Sequence, residues 1–106
     1  MIVYNKLVRD KIPQIIKESG KDCKVRTLDK EEYLIELRKK LIEESTELLE
    51  ATNTKDAIEE LADIYELLET ILIEEQYDLL EIKKRRIQKN MAKGAFEERL
   101  FLERVE

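Results

Sequence analysis

Glu43-Glu44-Ser45-Thr46-Glu47 and Glu59-Glu60-Leu61-Ala62-Asp63 decide the fold of this chain, because each places two acids where an apolar residue is due. At about 100° per residue, Leu34, Leu37, Leu41, Leu48 and Ala51 form one stripe of a long helix. Glu44 fills the gap in the middle of that stripe and Glu47 lies on its edge. In the following helix Ile64, Leu67 and Ile71 form a stripe that runs back through Glu60, with Asp63 on the edge. The i,i+3 spacing within each pair projects both acids from one helix face. Thr52-Asn53-Thr54 reads as the turn between the helices, and Glu47 precedes it by about as far as Glu60 follows it. An antiparallel hairpin therefore brings Glu44, Glu47, Glu60 and Asp63 to one level. A buried, unpaired carboxylate either protonates or finds a cation. A set of carboxylate oxygens without His or Cys suits Mg²⁺ or Mn²⁺. The alternative is neutralisation of the same acids by Lys and Arg across a helix interface.

Outward from the hairpin, Asp29 is the N-cap candidate of the first long helix, with Glu32 as its capping-box partner. That helix is predicted to run to about Ala51. Thr54 or Asp56 caps the next, which continues to about Glu75, and a break at Gln76–Asp78 precedes a basic helix over Leu79–Lys93 stopped by Gly94. Upstream, Lys6–Ser19 reads as a short helical segment or, because Pro13 lies within it, as a strand or loop followed by a helix from Pro13. Gly20 is its C-terminal cap, and Lys21–Leu28 reads as extended. The tail Ala95–Glu106, with Phe96, Leu100, Phe101, Leu102 and Val105, is expected to pack back on the body.

Two glycines and one proline in 106 residues leave few breaks, and the length predicts one domain over residues 1–106. The expected fold class is all-α: a helical hairpin within a four-helix-type bundle. Ile35, Ile42 and Leu49 form a second apolar row on the first long helix. Ile58, Leu61, Tyr65, Leu68 and Leu72 widen the apolar arc of the next. One hairpin with short flanking helices cannot cover both arcs, so homo-oligomerisation, as a dimer or tetramer, is expected to complete the bundle.

The absence of His and the single cysteine, Cys23, exclude His-based acid–base chemistry, thiolate metal clusters and an intrachain disulfide. A net charge of −5 argues against binding a nucleic-acid polymer. With no membrane-length apolar run and no signal-peptide core, a soluble cytoplasmic protein is expected.

Glu44-x-x-Glu47 followed by Glu60-x-x-Asp63, the latter within Glu-Glu-Leu-Ala-Asp, resembles the signature of the all-α nucleoside triphosphate pyrophosphohydrolases, the superfamily of MazG. Tyr4-Asn5-Lys6-Leu7-Val8-Arg9-Asp10-Lys11-Ile12-Pro13 and the tail from Lys93-Gly94-Ala95-Phe96 are similar to a MazG-like subgroup labelled phosphoribosyl-ATP pyrophosphohydrolase-like. The resemblance covers nearly the whole chain. It implies an enzyme, a Mg²⁺-dependent hydrolase of phosphoric anhydrides. The implied reaction cleaves between the α- and β-phosphates of a nucleoside triphosphate or phosphoribosyl-ATP-like substrate, giving a monophosphate and pyrophosphate. The family's metal and catalytic residues carry over onto Glu44, Glu47, Glu60 and Asp63, while Glu43 supports them from behind or holds a water. The resemblance also implies phosphate contacts from the basic helix. Arg86, Lys89 and Lys93, which share a helix face, are the candidates there, with Arg9 from the N-terminal segment. Two other readings fit the residues: a non-catalytic helical interaction module, and a relative that binds nucleotide and Mg²⁺ as a sensor.

Overall fold

Asp29 caps one of the two 21-residue helices of the chain: its carboxylate accepts the Glu32 backbone N–H at 2.9 Å. A computed structural model describes all residues, Met1–Glu106. It contains four helices, α1 (Ile12–Glu18), α2 (Lys30–Glu50), α3 (Thr54–Glu74) and α4 (Leu79–Lys93), and no strands. The fold is all-α, as the patterning predicts. None of the helices is long and apolar enough to cross a membrane.

Helix ends follow from local hydrogen-bond chemistry. Pro13 falls in the first turn of α1, where a missing N–H leaves no intrahelical bond unmade. That helix closes with the Gly20 N–H donating to Lys17 O at 3.0 Å and the Lys21 N–H to Ile16 O at 3.2 Å. Gly20 sits at φ +85°, a conformation that a residue without Cβ adopts freely. Residues 21–28 are irregular and do not form a strand. Glu32 does not complete the capping box. Its carboxylate instead receives both ends of the Arg26 guanidinium, at 3.0 and 2.6 Å. A bidentate charge-assisted pair is stronger than a bond from one neutral N–H.

Asn53, and neither Thr54 nor Asp56, caps α3. Its side-chain oxygen accepts the Asp56 N–H at 2.9 Å and its amide donates to Asp56 Oδ2 at 2.9 Å. Asn53 has the extended backbone of a cap residue, whereas Thr54 already lies inside the helix. Asn53→Ala is expected to destabilise the protein by about 1 kcal/mol. Urea unfolding should show this as a lower midpoint at unchanged slope, and Thr54→Ala should shift it far less.

The hairpin α2–α3 closes over the stripes predicted for it. Leu37 is the fully buried residue at its centre, with Leu34, Leu41 and Leu48 facing Ile64, Leu67 and Ile71 at intermediate exposure. Arg38 clasps Glu75 with bonds of 2.6 and 2.9 Å, tying the first half of α2 to the far end of α3. The second apolar row remains uncovered: Ile42 and Leu49 on α2, and Ile58 and Tyr65 on α3, are well exposed.

The chain divides into two compact units, Met1–Gln76 and Tyr77–Glu106, at the break read between α3 and α4. In the second unit Asp78 caps α4 by accepting the Leu80 N–H at 2.9 Å. The tail does not bury its apolar residues as expected. Phe96, Leu100, Phe101, Leu102 and Val105 are all exposed. Residues 95–106 form no helix or strand, so these side chains share no common face to bury.

Candidate metal centre

Glu44 occupies a core position of α2, two turns after Leu37 on the same face, and is 5 % exposed. The turn at Thr52–Asn53 brings Glu60 and Asp63 of α3 opposite it. One carboxylate oxygen from each of Glu44, Glu60 and Asp63 lies within 4.8 Å of the others, and the same holds for Glu43, Glu44 and Glu47. The four acids expected as ligands therefore converge, with Glu44 common to both groups and Glu43 beside them. Glu44 is buried, Glu43, Glu60 and Asp63 are half-buried, and Glu47 is exposed.

The neighbouring cations do not neutralise this cluster evenly. Lys6 Nζ lies 3.1 Å from Glu43 Oε1 and Lys40 Nζ lies 3.4 Å from Glu43 Oε2. Arg9 Nη2 donates to Asp63 Oδ1 at 2.8 Å. Lys40 reaches Glu44 Oε1 only at 3.7 Å, and neither Glu47 nor Glu60 forms a salt bridge. Glu44 Oε2 and Glu60 Oε2 are buried with no hydrogen-bond donor. Neutralisation by Lys and Arg, the alternative read from the sequence, thus reaches Glu43 and Asp63 and leaves the inner oxygens unserved.

Electrostatics follow this geometry. Burial raises the Glu44 carboxyl to about 8, helped by contact with the carboxyls of Glu60 and Glu47 and by the charge of Asp63. At Glu60, sharing a proton with Glu44 favours the charged form. The Glu47 carboxyl, lost hydration and the charges of Glu47 and Asp63 outweigh that, so its titration is also shifted upward. Burial acts upward on Glu43 as well, but Lys6 and Lys40 overcome it and hold the group below the usual range. The centre is therefore short of positive charge at Glu44 and Glu60. Oxygen donors without His or Cys are the donor set of a hard divalent cation such as Mg²⁺ or Mn²⁺. Glu44, Glu60 and Asp63 are a group that could hold such an ion.

Beside the acids, an open cleft of about 450 Å³ runs between the N-terminal segment and the hairpin. Glu44 and Asp63 line it together with Arg9 and Lys40, and Tyr33 and Leu37 contribute to its walls. Arg9, expected to contact phosphate, thus lies at the centre and engages Asp63. The other phosphate candidates, Arg86, Lys89 and Lys93, belong to the second unit, where they line a cleft with Asn90 and Phe96. Lys40 was not anticipated from the sequence. Its spacing of three and four residues before Glu43 and Glu44 is the signal that marks it.

No family model matches the chain, and no solved structure matches it. A protein of Mycolicibacterium smegmatis described as uncharacterised is 49 % identical over 51 residues, which are 48 % of this chain and 51 % of that protein. The match spans about half the length of that relative.

Proposed function

We propose that the chain is a Mg²⁺-dependent nucleotide pyrophosphohydrolase, cleaving the α–β phosphoanhydride of a nucleoside triphosphate or phosphoribosyl-ATP-like substrate to a monophosphate and pyrophosphate. The observation that carries this reading is the pair of buried, donor-less oxygens, Glu44 Oε2 and Glu60 Oε2, within a converging set of carboxylates. A cluster of that kind is completed by a shared proton or by a multivalent cation, and the cation serves several of its carboxylates at once. The resemblance of Glu44-x-x-Glu47 and Glu60-x-x-Asp63 to the pyrophosphohydrolase signature supports the phosphate chemistry.

Glu44, Glu47, Glu60 and Asp63 would hold the ion. Bound there, Mg²⁺ or Mn²⁺ supplies charge neutralisation for phosphate oxygens and lowers the pKa of a water. Among the residues themselves, Glu44 is buried on the core face of α2, and one of the four carboxylates takes the proton of an attacking water. Lys40 and Arg9 present cations to an anion entering the cleft. Arg86, Lys89 and Lys93 form a second phosphate-binding surface on α4. The uncovered row of Ile42, Leu49, Ile58 and Tyr65 supports homo-oligomerisation through the hairpin, because an apolar face of this kind is stabilised when a second copy removes it from water. A cytoplasmic setting fits a nucleotide substrate.

The test is pyrophosphate release from canonical and modified nucleoside triphosphates and from phosphoribosyl-ATP, with Mg²⁺ and with EDTA. Release that needs Mg²⁺ is expected, and the preferred substrate then names the physiological reaction. Mg²⁺ binding with no turnover on any substrate would leave the nucleotide-sensor reading in its place.

A further inference from the structure

Residues 1–11 form no helix or strand and are exposed apart from half-buried Leu7, yet two of their cations reach acids of the hairpin. Lys6 meets Glu43, which lies beside the inner ligand set. Arg9 meets Asp63 Oδ1 at 2.8 Å, and Asp63 belongs to the inner group with Glu44 and Glu60. The guanidinium therefore already supplies positive charge to a carboxylate that a metal ion would use. It is a weakly held counterion, because the side chains of Arg9 and Asp63 are 60 % and 38 % exposed, and a pair so open to water contributes little stability.

A divalent cation among Glu44, Glu60 and Asp63 interacts with several carboxylates at once and repels the guanidinium beside it. Once off Asp63, Arg9 remains in the same cleft, whose walls include Glu44 and Lys40. Its planar fork matches two oxygens of a phosphate group better than an ammonium does. The N-terminal segment forms no helix or strand and the Arg9 side chain is 60 % exposed, so little packing opposes the exchange.

On the basis of the metal-centre reading above, we infer that Arg9 is an internal counterion that a divalent cation displaces from Asp63, freeing the guanidinium to bind a phosphate of the substrate. Metal then enters before anion, and the N-terminal segment couples the two events. Arg9 acts here as a substrate-binding residue whose availability depends on the metal.

Titration calorimetry of the full chain with Mg²⁺ alone, and then with pyrophosphate at saturating Mg²⁺, separates the parts. Arg9→Gln is expected to tighten Mg²⁺ binding by about threefold to tenfold, because a competing cation is gone. The same substitution is expected to weaken pyrophosphate binding by about tenfold or more. Arg26→Gln, which removes one positive charge paired to Glu32 outside the cluster, corrects for net charge and should leave both constants near wild type. Arg9→Lys keeps the charge without the fork, so Mg²⁺ affinity should stay near wild type while pyrophosphate binding recovers only in part. Mg²⁺ binding that is no tighter in Arg9→Gln than in Arg26→Gln overturns the displacement, as does unchanged pyrophosphate binding for the second role. Failure of the wild-type chain to bind Mg²⁺ at all would overturn the metal centre itself, and is distinguished by that first titration.

Discussion

Glu44→Gln is expected to lower Mg²⁺-dependent pyrophosphate release by about a thousandfold while making the metal-free protein more heat-stable at alkaline pH. The two effects share one cause. Glu44 is the carboxylate common to both ligand groups, and its Oε2 is buried without a donor. Replacing it with an uncharged amide of the same shape removes a central ligand, and several kcal/mol of charge stabilisation in the transition state correspond to about a thousandfold in rate. Without metal, the same exchange removes a buried negative charge that nothing but Lys40 at 3.7 Å opposes. Below the unfolded value of 4.5 the wild-type side chain is neutral in both the folded and the unfolded chain, so the variant should melt much as wild type does. As pH rises from there to about 8 the wild type loses stability that the variant keeps, so at alkaline pH the variant should melt higher by on the order of 10 °C. Melting curves with EDTA, paired with the release assay, give both readouts. Full Mg²⁺-dependent release in the variant would remove Glu44 from the ligand set, whatever its effect on melting.

The stability of the metal-free protein should fall as pH rises from about 5 to about 8, and Mg²⁺ should reverse that trend. The sign follows from the upward shift of Glu44 from 4.5 to about 8. Below the unfolded value both states carry the proton and the contribution is intact. Between the two values the folded state keeps a proton that the unfolded chain has released, so stability declines with pH, by at most about 1.4 kcal/mol per pH unit. Above the folded value the loss is complete. Glu60, also shifted upward, acts in the same direction. Glu32 and Glu43 are held below their ordinary range by Arg26 and by Lys6 and Lys40. Their stabilisation is lost as pH falls, at the acid edge of the window. A divalent cation replaces the shared proton, so its affinity should rise with pH until the carboxyls have ionised. Melting temperatures measured across this range with EDTA should drop on the order of 10 °C relative to the trend of Glu44→Gln. With saturating Mg²⁺ the wild-type curve should be flat or rising. A flat EDTA curve parallel to that of the variant would show that Glu44 titrates normally and that its burial leaves it hydrated.

Much of this was legible in residue spacing. Periodicity located α2 and α4 within about a residue and α3 within one to three, because each carries an apolar stripe and few breakers interrupt it. The same periodicity put Glu44 in the core stripe, and the structure buries it there. The hairpin turn set the relative height of the two acid pairs, so their convergence could be read before any coordinate. The details that escaped are those in which several partners compete. Asp29 caps α2 as expected, yet Glu32 turns to Arg26, and Asn53 takes the cap of α3 from its neighbours. The exposed tail escaped for another reason: apolar content was visible, but a shared face needs a regular backbone, and residues 95–106 lack one.

The sequence by itself determined that this chain makes an antiparallel pair of long helices with carboxylates facing inward, since helix period and turn position are local properties. Only the tertiary structure decided how those carboxylates are compensated. Arg9 lies 54 residues from Asp63 along the chain and Lys6 lies 37 from Glu43, and no spacing rule links partners that far apart. Their pairing leaves Glu44 and Glu60 as the oxygens without a donor. Charge compensation depends on distances through space, and those exist only once the N-terminal segment has closed against the hairpin.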